Sequence, residues 1–213
     1  MGHAEMAVAA VRYLRSVGAA TSAAPVEALP PPELRAVREN ERAPLDTGEF
    51  RRVLGHFASG VTIITAPAAD SHTPPAGFAC QSFASLSLEP PLVAFMVART
   101  STSWPRIAQA GVFCVNILGA DQGELCRSFA VSGADNPDKF AGVAWSPAPA
   151  SGAPRLAGVL AWVDCTIHAV HTGGDHLIVV GRVDALGTTD TVEAPSEPAP
   201  LLFHRGRFGR FTP

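Results

Sequence analysis

A run of small polar side chains spans residues 77 to 91, GFACQSFASLSLEPP, and it suits neither a packed core nor a charged surface. As an extended strand, the run places its side chains on alternate faces. One face carries Phe78, Cys80 and Ser82, and the other carries Ala79, Gln81, Phe83 and Ser85. Side chains this short let a flat ligand lie against the backbone, whose N–H and C=O groups then supply hydrogen bonds. The donors and acceptors of such a strand edge match the pyrimidine edge of a flavin.

A second run, ARTSTSWPRI at residues 98 to 107, has the chemistry of a phosphate site. Arg99 supplies a positive charge, and four hydroxyls follow it, on Thr100, Ser101, Thr102 and Ser103. The helix expected to begin here presents free N–H groups at its positive end, and Pro105 in its first turn removes no helical hydrogen bond. A hydroxyl run before a helix is by itself commonly only a cap, but beside the small-residue strand it favours phosphate binding.

His176 is a third candidate, because it begins a strand directly after the turn HTGGD. A surface hairpin residue and a group beside a bound cofactor both fit this position. His168 and His171 are three residues apart and face opposite sides of a strand, so no metal site is expected. No Gly-x-Gly-x-x-Gly follows a strand, which argues against a Rossmann dinucleotide domain.

Composition limits the function classes further. The chain has 213 residues, of which 47% are hydrophobic and 16% charged, enough for one well-filled domain with an appendage. Its net charge of −3 gives no electrostatic reason to expect nucleic acid or an acidic membrane as a partner. No apolar run reaches the ~20 residues that span a bilayer. The four cysteines are far apart, which favours reduced thiols and a cytoplasmic location over export.

The chain divides near residue 45. Residues 1–45 are rich in Ala, Pro and charge, and are expected to form an N-terminal extension. Within it, residues 4–17 have the apolar spacing of a short amphipathic helix. That extension is either a mobile tail or a helix that docks on a partner subunit. Residues 46–213 are expected to form the functional domain.

The elements that must position the candidate residues are mostly strands. Asp46 and Glu49 have capping spacing ahead of an apolar helical stripe, so a helix is expected from Asp46 to near Ser59 and Gly60. A second short helix, residues 101–110, ends at Gly111. Strands are expected at residues 61–65, within 77–91, and at 90–98, 111–118, 159–170 and 176–186. Residues 200–211 are expected to form either a short strand pair or a strand and a turn.

The two longest strands flank HTGGD, whose paired glycines permit the positive φ angles of a tight turn. Strands at short spacing, with few helices and no strict alternation of strand and helix, predict a mainly β antiparallel barrel or sandwich.

Six segments in this order resemble the flavin reductase-like family, which has the FMN-binding split-barrel fold. They are FRRVLGHFASGVTIIT, GFACQSFASLSLEPPLVAFMV, TSTSWPRI, FCVNIL, GDH and PLLFHRGRF. The resemblance covers about residues 46 to 211. It is strongest to the short-chain reductase components of two-component flavin monooxygenases, and it implies an antiparallel split β-barrel with a few short helices.

The resemblance also implies site residues. The family's isoalloxazine segment falls on residues 78–82, with Ser85 nearby, and its phosphate segment falls on residues 100–103. Its Gly-Asp-His turn, where the histidine lies near the nicotinamide, falls on Gly174, Asp175 and His176. The C-terminal RGRF segment adds Arg207 as a weaker cofactor-binding candidate. Cys80 and Gln81 occupy positions at which related sequences vary, so backbone contacts are expected to matter more there than side-chain contacts.

The function implied is hydride transfer from NADH or NADPH to FMN or FAD, with the reduced flavin passing to a separate oxygenase component. Such a transfer requires two stacked rings and no catalytic acid, base or nucleophile from the protein. A homodimer with flavin sites near the subunit interface is also implied. Two alternatives stay open: a split-barrel oxidase that retains its flavin, and a non-catalytic flavin-binding or redox-sensing module.

Overall fold

The computed structural model of the protein describes residues 20–21, 45–131, 138–188 and 199–211, so the helix expected at residues 4–17 lies outside the described part. The described helices are α1 (Thr47–Leu54), α2 (Trp104–Ala110) and α3 (Gly123–Ala130). The first strands are β1 (Ala20–Thr21), β2 (Ser59–Gly60), β3 (Thr62–Ala66), β4 (Ala76–Cys80), β5 (Ala84–Leu88), β6 (Pro91–Ala98) and β7 (Val112–Ile117). The later strands are β8 (Trp145–Pro147), β9 (Pro154–Leu156), β10 (Ala161–Gly173), β11 (His176–Thr188), β12 (Leu201–His204) and β13 (Arg207–Arg210).

One sheet organises the molecule, with the strand order β4-β3-β7-β10-β11-β6-β5. Neighbours along this path are antiparallel, and β1 pairs in parallel with β10. The hairpin of β10 and β11, 13 residues each, lies at its centre. Its turn contains Gly174 with φ of 68°, whereas Gly173 still pairs with His176. The predicted antiparallel, mainly β fold is confirmed. No helix in the described ranges is long and apolar enough to cross a membrane.

The expected single strand within residues 77–91 is wrong, because the stretch is divided between β4 and β5 and ends at the start of β6. At the break, the Ser82 hydroxyl donates to the Met96 carbonyl at 3.0 Å and accepts from the Met96 N–H at 3.1 Å. The serine side chain therefore joins the end of β4 to β6, which lies near the far end of the sheet path. The continuous alternation of small residues gives no local signal for this closure.

Aromatic rings fill the interior that the sheet encloses. Phe95 packs against Phe113 with ring centroids 5.1 Å apart, and also against Trp104 of α2 at 6.5 Å. Gly181 makes room for this cluster, because a Cβ there would lie 2.3 Å from Phe113 Cζ. The core thus fixes where α2 lies, and with it the hydroxyl run before α2.

Helix α1 begins as predicted, with the Glu49 N–H donating to Asp46 Oδ1 at 2.8 Å. It ends at Leu54, not near Ser59 and Gly60. The reason is tertiary, since those two residues form β2 and pair with β12. None of the α1 side chains is buried in the isolated chain, so its apolar stripe stays largely accessible there.

The predicted end of the second helix is confirmed, but α2 begins at Trp104 and not at Ser101. Gly111 terminates α2 with φ of 69°. The C-terminal segment forms the hairpin of β12 and β13, which joins β2 in a three-stranded sheet. Helix α3 and the small pair of β8 and β9 have no counterpart among the predicted elements.

Candidate functional site

A cleft of about 730 Å³ opens between β4, the start of α2, the end of α3 and the C-terminal hairpin. This volume lies within the range of small-molecule and cofactor sites. About half of its described lining was predicted: Phe78, Ala79, Cys80, Gln81, Ser82, Thr100, Ser101, Thr102, Ser103 and His176. The fold therefore brings together three segments that are far apart in sequence.

Strand β4 forms one wall of the cleft. In the described sheet it pairs on one side only, with β3, so its other edge presents backbone N–H and C=O groups. The Ala79 and Cys80 side chains are short enough to let a planar ring approach that edge. Burial raises the pKa of the Cys80 thiol, which is 4% exposed and belongs to the core, so this residue packs and stays protonated. The Ser82 hydroxyl is already bonded to Met96, so the backbone edge and the Gln81 side chain are the groups of this wall that can bond a ligand.

The hydroxyl run forms a second wall, and its members differ in what they already bond. The buried Ser103 donates to the Gly77 carbonyl at 2.9 Å and so fastens the run to β4. Ser101 Oγ accepts from the Trp104 N–H at 3.3 Å, as a cap does. The Thr100 and Thr102 side chains are exposed at the cleft. Two hydroxyls thus organise the loop, and the two threonines face the cleft's solvent.

His176 lies at the cleft rim, at the start of β11. Its Nδ1 lies 2.8 Å from Asp175 Oδ1, and this hydrogen bond holds the pKa of the Asp175 carboxyl below its usual range. The backbone N–H of Arg99 donates to the Asp175 carbonyl at 3.0 Å, and the side-chain Nη1 of Arg99 donates to the Gly174 carbonyl at 3.4 Å. The turn that carries His176 is therefore tied to the residue preceding the hydroxyl run.

Three predicted residues are not brought into the cleft lining. Ser85 is exposed on β5, and Arg99 binds the turn of the β10–β11 hairpin. Arg207 is opposite His204 in the C-terminal hairpin, on the face away from Phe208. Their roles in cofactor binding stay predictions, with Arg99 better placed to position the His176 turn.

The cleft also contains residues that the sequence did not single out. Phe203 and Phe208 are opposite one another on β12 and β13, with ring centroids 5.5 Å apart. Phe129 and Lys139 also line the cleft. The alternation in LLFHRGRF carries a signal for the two hairpin rings, and Lys139 is the only lysine of the chain. No carboxylate is among the described lining residues, so the cleft favours anions.

These features fit a flavin nucleotide. A strand edge with small side chains suits the heterocycle, aromatic rings supply apolar walls, and hydroxyls with a cation suit a phosphate. Among the described residues, no group of His, Cys, Asp and Glu is arranged to hold a metal ion. The chemistry available is the binding and alignment of a planar, phosphorylated cofactor beside His176.

Comparison with known proteins identifies the same chemistry. The model of the family described as flavin reductase like domain matches residues 54–212. The reductase subunit of a flavin-dependent monooxygenase from Rhodococcus jostii is 48% identical over 169 residues, 79% of this chain and 80% of that protein.

Two solved structures are similar as well. The component B homologue of nitrilotriacetate monooxygenase from Mycobacterium thermoresistibile has a TM-score of 0.69 and 47% identity, covering 78% of this chain and 86% of that one. The NADH:FAD oxidoreductase from Streptomyces globisporus, in complex with NAD and FAD fragments, has a TM-score of 0.70 and 34% identity, covering 84% and 98%.

Proposed function

The chain belongs to the flavin reductase like domain family, and from that premise we propose that it is the NAD(P)H:flavin reductase component of a two-component monooxygenase. It takes hydride from NADH or NADPH, reduces FMN or FAD, and supplies the reduced flavin to a separate oxygenase. The observation that carries this proposal is one cleft that joins the free edge of β4, the hydroxyl run and His176.

The bound flavin supplies the redox chemistry, because its ring accepts the hydride. The protein's part is alignment. The backbone edge of β4 would hold the heterocycle, and the hydroxyl run would hold the phosphate. Because Ser103 bonds Gly77, these two contacts are held at a constant separation. Such alignment lowers the barrier by converting an encounter of two molecules into a step within one complex.

His176 orients the nicotinamide in this proposal. Its Nδ1 is held by Asp175, which fixes the ring and leaves Nε2 as the nitrogen without a partner among the described residues. The side chain is 46% exposed and lines the cleft, which leaves it accessible to a second nucleotide. It acts by position and hydrogen bonding, because hydride transfer involves no proton from the protein.

The active form is proposed to be a homodimer that covers α1. Phe50, Val53 and Leu54 are each just over half exposed, and Phe57 is 81% exposed. A continuous apolar stripe of this kind is typical of an interface. Light scattering on the purified protein is expected to give twice the chain mass, and Val53→Glu is expected to give the mass of one chain. A wild-type monomer at micromolar concentration would contradict the dimer. The cytoplasmic location and the boundary at residue 45 stay predictions.

The test of function is the oxidation of NADH or NADPH by purified protein with FMN, with FAD and without added flavin. We expect oxidation that depends on added flavin and rises with its concentration, as required of a protein that releases its product. Protein that retains flavin and consumes oxygen with another substrate is an oxidase instead. Tight flavin binding without oxidation of either nucleotide indicates a binding module.

A further inference from the structure

The cleft has one strongly basic side chain. Apart from His176, Lys139 is the only basic residue among the described lining residues, and no acidic residue accompanies it there. Its carboxylate neighbour Asp138 accepts from the Phe140 N–H at 2.9 Å. No ion pair of Lys139 is formed within the described part of the chain. A partly buried ammonium without a carboxylate partner is costly, and an anionic ligand offsets that cost.

Lys139 is held in place by the helix it faces. Its Nζ donates to the carbonyl of Phe129, in the last turn of α3, at 2.9 Å. An ammonium has three N–H donors, so two are left for a ligand. The ring of Phe140 packs edge-on against Phe129, with centroids 5.1 Å apart, and fixes the chain next to Lys139.

A series of contacts links Lys139 to the hydroxyl run. Phe129, whose carbonyl binds the lysine, packs on Gly77 so closely that a Cβ at Gly77 would lie 2.8 Å from its ring. The Gly77 carbonyl in turn accepts from Ser103. The lysine and the two cleft-facing threonines, Thr100 and Thr102, are therefore anchored to the same stretch of β4.

We propose that Lys139 is the cation that recognises the phosphate of the flavin, together with the hydroxyls of Thr100 and Thr102. This rests on the proposed function and assigns the charge to a residue other than Arg99, whose guanidinium binds the hairpin turn. The ligand class is the flavin nucleotides, and riboflavin lacks the group that Lys139 contacts. Lys139 thereby makes the cleft selective for phosphorylated flavin.

The test compares two ligands on three variants. Flavin fluorescence quenching gives the Kd of FMN and of riboflavin for full-length wild type, Lys139→Met, Lys139→Arg and Arg99→Gln. Removing a charged hydrogen-bond donor is expected to weaken FMN about 10- to 100-fold in Lys139→Met while riboflavin changes less than about twofold. Lys139→Arg is expected to restore most of the FMN affinity. Arg99→Gln is expected to keep the wild-type ratio of the two Kd values.

Equal weakening of FMN and riboflavin in Lys139→Met would mean that the lysine only supports the fold, and would overturn the assignment. So would an unchanged ratio, or a selective loss of FMN in Arg99→Gln. If the wild-type protein reduces FMN but Lys139→Met keeps the wild-type ratio of the two Kd values, this inference alone is refuted. Wild-type protein that binds no flavin refutes the proposed function and the inference with it.

A second measurement needs no variant. Because the chain has a single lysine, labelling by an amine-reactive reagent at that position can be followed by mass spectrometry. Saturating FMN is expected to slow the labelling of Lys139 several-fold, and saturating riboflavin is expected to leave it near the rate of free protein. Equal protection by both ligands, or by neither, would contradict the contact.

Discussion

Replacing Ser103 with alanine is expected to loosen β4, the strand proposed to contact the flavin. The side chain is 8% exposed, and its hydroxyl donates to the carbonyl of the buried Gly77 at 2.9 Å. Alanine leaves that carbonyl without its partner, in a place where water has little access. A buried polar group left unpaired costs about 1–3 kcal/mol, so the free energy of unfolding is expected to fall by that amount.

Urea denaturation followed by tryptophan fluorescence measures the loss. With a slope of about 2 kcal/mol per molar urea, the midpoint falls by roughly 0.5–1.5 M. Ser85→Ala is the matched control, since Ser85 is exposed on β5, and its effect is expected to be within about 0.5 kcal/mol. The two variants differ in burial and not in chemistry.

The same variant separates positioning from direct ligation. If Ser103 holds β4, then Ser103→Ala weakens FMN and riboflavin alike, because both depend on the strand edge. If its hydroxyl binds phosphate, only FMN is weakened. Unchanged stability together with a loss confined to FMN would refute the positioning role.

The remaining predictions concern the nucleotide, the core and the charge of the cleft. His176→Ala is expected to raise the KM for NAD(P)H and slow flavin reduction, and unchanged steady-state kinetics would rule that role out. Gly181→Ala is expected to destabilise the protein by about 1–3 kcal/mol in thermal melts, because the added Cβ overpacks against Phe113. Gly60→Ala is the control, since nothing lies near the Cβ added there. Burial lowers the pKa of the Lys139 ammonium. FMN affinity is therefore expected to be greatest below that pKa and to fall as the pH rises through it. A parallel fall in riboflavin affinity would exclude Lys139 as the cause.

Local signals carried much of the fold prediction. The sequence predicted the β-branched strands, the helix cap at Asp46 and the helix end at Gly111. Each of these features depends on residues only a few positions apart. The predicted helix α1 was too long, because Ser59 and Gly60 form a strand that pairs with β12. That pairing joins segments more than a hundred residues apart and leaves no mark on the local sequence.

The residues of the candidate site also divide into those with a local sequence pattern and those without one. The small-residue strand, the hydroxyl run and His176 were singled out from contiguous patterns, and the fold places all three along one cleft. Lys139 was not singled out because it lies outside any such pattern, and the role proposed for it depends on a contact with the last turn of α3. Arg99 was favoured as the cation by adjacency in sequence, but the fold directs its side chain to the hairpin turn.

Anaerobic stopped-flow mixing of the protein and FMN with NADH or NADPH tests hydride transfer within the cleft most directly. We predict that flavin absorbance falls in a phase that requires the protein, that its rate saturates with nucleotide, and that His176→Ala slows it. Flavin reduction no faster than in buffer with either nucleotide, despite saturable FMN binding, would contradict the account.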